Sequence, residues 1–167
     1  MTRTIASRGG GNGSPPDTTQ HEHVADILER ELDATIHEWM GLVEKEPDLL
    51  RIRLNFQERT GHLPRLLHDV IARLRLDRGA SAPVSVAASH HGELRRKQGY
   101  TAAMVVDESR ILQVSIFSTL HRNEHRVKFS QLLPDVVTIA DEVDAQLKQQ
   151  ILCFLPGKHV GKKEATN

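Results

Sequence analysis

The sequence predicts an all-α protein, on three observations. Apolar residues recur at steps of three and four over most of the stretch from 24 to 154, the period of a helix with one buried face. Nothing alternates apolar and polar residues with period two, and no Asn-Gly or Asp-Gly pair joins two apolar runs, so hairpins have no signal. Gly, Pro and capping residues fall mostly between the periodic stretches. About five helices around one core follow, with a globin-like arrangement and a plain helical bundle both open.

The first helix is expected over about 18–46, with Val24, Ile27, Leu28, Ile36, Trp39, Leu42 and Val43 on its apolar stripe and Pro47 at its end. A turn over 48–54 leads to Asn55, an N-cap for the second helix. Phe56, Leu63, Leu66, Leu67, Val70, Ile71 and Leu74 make its stripe. Pro64 interrupts it, as a kink or as the first residue of a restarted helix. A loop over 77–83 precedes a third helix over about 84–98. The fourth is expected at 102–122, carrying Met104, Val105, Glu108, Ile111, Leu112, Ser115, Ile116 and Thr119 near one face. The fifth is expected at 127–154, with Pro134 as a second kink or restart and Pro156-Gly157 as its stop.

Of the 167 residues, 1–17 form a Gly/Ser/Pro-rich tail expected to be disordered, and 157–167 a polar, flexible one; 18–156 hold the domain. Lys plus Arg and Asp plus Glu both number 22, a balance that argues against nucleic acid as a partner. The single Cys153 forms no internal disulfide and, between Leu152 and Phe154, reads as a buried inert thiol. The N-terminus has no apolar signal core, and no apolar run approaches the roughly 20 residues of a membrane helix. A soluble cytoplasmic protein is expected.

The segment SHHGELRRKQGYTAAMVVDESRILQVSI at 89–116 carries the most information. Gly99 is a natural helix C-cap and Thr101 a natural N-cap, so Gln98-Gly99-Tyr100-Thr101 reads as a tight corner between two helices. His91, Gly92, Leu94, Arg95, Gln98, Gly99, Tyr100, Glu108 and Leu112 together resemble the N-terminal sensor domain of RsbRD-type proteins. These are co-antagonists of the RsbT kinase, and the domain also fronts some bacterial sensor histidine kinases. Gly61-His62-Leu63-Pro64, followed by Leu66, Leu67, Val70 and Leu74, extends the likeness over about 24–155. The resemblance implies a non-catalytic role in sensing, signal transduction or stress regulation. It tilts the fold towards globin-like and favours a continuous, locally bent helix at Pro64.

On a helix, His91, Arg95 and Gln98 share one face at steps of four and three. Glu108 on the next helix can return to face them, with His62 and Tyr100 as further members. Such a group either braces the corner as a satisfied polar network or lines a small ligand cavity. His90, Glu93, Arg96 and Lys97 read as solvated, as do Asp141, Glu142 and Asp144. Trp39 reads as a core anchor between the first and last helices.

Ten histidines raise the question of metal and haem. His121-Arg122-Asn123-Glu124-His125 matches H-x-x-E-H, in which two histidines hold zinc and the Glu acts as base. It falls at a polar helix end, which suits a solvated corner better than a hydrolase. A haem-binding globin-like sensor would put His91 or His62 on the iron. Resemblance to haem-bearing globin sensors would ask for a His four residues before Gly99, where this chain has Arg95. No P-loop, G-x-S-x-G, G-x-G-x-x-G or Cys-x-x-Cys is present.

The expected function is a non-catalytic regulatory domain with His62, His91, Arg95, Gln98, Tyr100 and Glu108 as ligand-binding residues and without a cofactor. Its partners would be a kinase or a STAS-domain protein, a small-molecule ligand, and a second copy docked through the first and last helices. Haem or metal binding is the alternative, and a hydrolase using His121 and His125 the third reading.

Overall fold

The computed structural model describes residues 21–76 and 83–155, and all of its regular structure is helical. The expected tails at 1–17 and 157–167, and most of the expected 77–83 loop, lie outside these residues.

The first expected helix is two. Helix α1, Val24–Arg30, and α2, Leu32–Val43, meet at Glu31, whose φ of −94° and ψ of 15° leave helical geometry. The Thr35 hydroxyl donates to the Glu31 carbonyl at 2.9 Å, a back-bond that bends helices. Pro47 opens a further turn, α3 at Pro47–Leu50, because proline fits the first helical position, where no N–H is needed. Leu49 from that turn is fully buried.

The second expected helix also divides, into α4, Phe56–Thr60, and α5, Leu63–Arg75. Asn55 caps α4 as expected, within a reciprocal capping box with Glu58. The chain breaks at Gly61-His62 and restarts with Pro64 in the first turn of α5, so the continuous bent helix is replaced by two. A proline inside one helix would lose a hydrogen bond and strike the preceding turn; in a first turn it does neither.

Helix α6, Val86–Lys97, begins two residues later than expected. The Ser85 hydroxyl caps it, accepting from Ala88 N at 2.9 Å. Helix α7, Ala102–Arg122, has the expected bounds. Between them, Tyr100 N donates to Arg95 O at 3.0 Å and Gly99 N to Arg96 O at 3.1 Å, which is a Schellman closure. Gly99 supplies the positive φ of 85° that the closure demands. A 3-10 turn, Glu124–Arg126, leads to α8, Phe129–Phe154, which continues through Pro134.

The apolar faces close on one cluster that includes Ile27, Trp39, Leu66, Val70, Ile111, Ile116 and Ile139. Helices α6 and α8 make the most extensive contact. Gly92 permits it, since a Cβ there would lie 2.2 Å from the Gln150 carbonyl oxygen. The apolar residues of α1 lie wholly within this core, whereas Phe129, Leu133 and Val137, one turn apart on α8, stay exposed. A second copy docked through the first and last helices would therefore find an apolar stripe on α8 alone.

Three sequence readings change or sharpen. Glu142 is buried, at 5% exposure, because it lies on the side of α8 that faces α5 rather than on the outer face shared by Asp141 and Asp144. Trp39 is fully buried, and the helix to which its indole N–H ties α2 is α7. Cys153 is half-buried, because its position near the end of α8 leaves one side open; Gln149 Nε2 lies 3.6 Å from its sulfur.

Candidate functional site

The residues singled out around the Gly99 corner meet in one buried polar centre. The Schellman closure turns α7 back along α6, which brings Glu108 against Arg95: Arg95 Nε donates to Glu108 Oε2 at 2.8 Å, with both side chains at most 3% exposed. Tyr100 OH donates to Glu108 Oε1, also at 2.8 Å. His91 Nε2 lies 3.3 Å from Glu108 Oε2. The rest of the Arg95 guanidinium is placed by donation to Gln98 Oε1 at 2.7 Å, Glu58 O at 3.2 Å and Arg59 O at 2.8 Å. These carbonyls come from α4, so one guanidinium joins α4, α6 and α7. Its carbon also sits 4.7 Å from the Tyr100 ring centroid, a cation–π contact.

Sequence reasoning missed Arg59. It is 2% exposed and donates to Tyr100 OH at 3.0 Å, Ile52 O at 2.6 Å and Leu49 O at 3.3 Å. No periodicity marks it, since α4 is too short to show a face. Trp39 also belongs here: its indole N–H donates to Glu108 O at 3.2 Å.

His62 and His91 stack face to face, with centroids 3.7 Å apart and planes 16° from parallel. Trp39 meets His62 edge-on at 6.1 Å. Nδ1 of each histidine is buried without a hydrogen-bond partner among the described residues. Burial holds both imidazoles below their ordinary value of 6.5, well below it for His62, where the neighbouring His91 and Arg95 add to the effect. At His91 the nearby Glu108 carboxylate opposes burial without overcoming it. For Glu108 burial pushes upward, but His91 and Arg95 outweigh it and hold the carboxyl below its usual value. Burial beside that carboxylate raises the Tyr100 phenol, which stays protonated. The centre thus combines neutral imidazoles, a neutral phenol, one carboxylate and two guanidiniums.

The space left between these groups is about 10 Å³, bordered by Trp39, His62, His91, Glu108, Ser109 and Gln150. That is at most the room of one water molecule. A porphyrin has no gap to enter, because the two rings it would need to separate are in contact. His62, His91 and Glu108 do bring donor atoms within 4.8 Å of one another. Yet imidazole lone pairs in near-parallel stacked planes do not converge on one ion about 2 Å from each nitrogen. The nearest Glu108 oxygen already receives Arg95. These residues would hold a divalent cation only after the rings swung apart.

The H-x-x-E-H residues do not form a centre. His121 lies in the last turn of α7, His125 on the 3-10 turn, and both are exposed, so they do not share one helical face. His121 Nδ1 instead meets Glu124 at 3.1 Å in the open.

No protein-family model matches the chain, and neither a curated protein nor a solved structure matches it. Among the described residues no helix is long and apolar enough to cross a membrane.

Proposed function

We propose that this chain is a non-catalytic sensory and regulatory domain whose signal is a change in how α4, α6 and α7 pack around the Arg95–Glu108 pair. One observation carries the reading: the residues behind the resemblance to the RsbRD-type sensor domain, namely His91, Arg95, Gln98, Tyr100 and Glu108, meet in a single buried polar network. A buried ion pair contributes little net stability compared with apolar packing of the same volume. A partner that prefers one packing of the helices around this knot shifts the balance by its difference in affinity. The partner is a cytoplasmic kinase or a STAS-domain protein of the stress-response type.

The test is calorimetric titration of the purified chain with the RsbT-type kinase and STAS-domain proteins encoded in the same genome. Saturable binding to one of them, altered in a folded Glu108→Gln variant, supports the reading. Absence of binding to all of them, or binding indifferent to that substitution, removes it.

A further inference from the structure

We propose that the cleft between the end of α5, the start of α6 and the C-terminal half of α8 binds a small organic cation, a protonated amine on an apolar body. Two adjoining cavities of about 310 and 330 Å³ share Pro83, Val84, Ser85 and Glu142. Their size and mostly apolar walls, with a few convergent polar groups, suit a small organic molecule. The walls include Ala72, Leu76, Val86 and Leu152, and at the rim Val84 is 71% and Val86 81% exposed.

At Glu142 and Gln146 the floor is short of donors, although Arg73 of the same lining keeps a buried Nε without a partner among the described residues. Glu142 is 5% exposed and receives Gln146 Nε2 at 3.0 Å, yet no cation lies within ion-pair distance of it among the described residues. Gln146 is 2% exposed, and its Nε2 is fixed by a second bond to Leu66 O at 3.1 Å. That choice leaves Oε1 as the acceptor, buried and without a partner among the described residues. Asp69 lines the same cleft and accepts from Ser85 Oγ at 2.5 Å, with Arg73 and Lys148 as the opposing charges in the lining. Burial accordingly raises the Glu142 carboxyl, helped by Asp69 and Asp141 and opposed by Gln146 and Arg73. An ammonium group brings both what the carboxylate lacks, a positive charge, and what the amide oxygen lacks, an N–H. The closed centre at Glu108 has no room for such a molecule; this cleft does. The site stands whether or not the chain is a regulator.

Phenethylammonium and its neutral analogue 2-phenylethanol are suitable probes, read by amide chemical shifts of the labelled full chain. Saturable shifts confined to residues 69–76, 83–89 and 142–152 are expected for the amine, with the alcohol about tenfold weaker. Glu142→Gln should lose about the same factor for the amine and nothing for the alcohol. Ala145→Trp, at an exposed position of α8 that lines the cleft, should block both probes while leaving the carboxylate intact. Unsaturable or scattered shifts, equal affinities for amine and alcohol, or unchanged binding in Ala145→Trp would each overturn the proposal.

Discussion

Glu108 receives hydrogen bonds from Arg95 and Tyr100 while 3% exposed, and Arg95 is fully buried. Removing one partner of such a pair leaves the other charge uncompensated, which outweighs the modest net value of the intact pair. Glu108→Gln should therefore destabilise the protein by about 3 kcal/mol in urea denaturation. Replacing Arg95 and Glu108 together by Met and Leu should cost less than the sum of the two single changes. Acid acts on the same centre. Folded His62 and His91 protonate below 6.5, so on acidification the unfolded chain takes up those protons first. Folded Glu108 likewise lies below its ordinary value. All three therefore contribute stability that is present at high pH and lost as pH falls, the histidines first. The melting temperature should be level above about pH 7.5 and decline through 6.5, and His62→Phe should flatten the start of that decline. The sequence made the membership of His91, Arg95, Gln98, Tyr100 and Glu108 legible, because one helical face and one corner bring them together. It did not expose Arg59, whose partners are the Leu49 and Ile52 carbonyls and the Tyr100 hydroxyl, or the ring stacking that closes the cavity.

At the scale of elements, two glycines carry different burdens. Gly92 sets how close α6 comes to α8, and a methyl group there meets backbone rather than a movable side chain. Gly92→Ala should cost about 2–3 kcal/mol, because the helices have to separate along their whole contact. Gly99→Ala meets only an ordinary contact, Ile52 Cδ1 at 3.9 Å, and has the positive φ alone against it. About 1 kcal/mol is expected there, so thermal melts of the two variants should differ clearly. The helix-to-helix corner and the bounds of α7 were readable because cap chemistry is local. The breaks at Glu31 and Gly61-His62 were not. Apolar spacing runs on across each gap, so periodicity alone joins what a back-bonding Thr35 or a first-turn Pro64 divides.

For the whole molecule, hydrogen exchange should be slowest in the middle of α7, which carries ten buried residues, and fastest in the short α3 and α4. Equal protection throughout would contradict the packing described here. The all-α class was legible because period and length agree along the chain. The burial of Glu142 was not, because its neighbours Asp141 and Asp144 face water and only the placement of α5 turns that side of α8 inward. The surface ion pairs, such as Arg122 with Glu38 and Arg110 with Glu46, add little to stability.

Trp39 is the chain's single tryptophan, fully buried and hydrogen-bonded to the backbone of Glu108. Its indole packs edge-on to His62 and is bonded at the polar centre, so its emission responds to the polarity there. The protein therefore carries its own optical gauge. A change in emission intensity at constant helix content would register a disturbance of the polar knot before the fold gives way, without any attached dye.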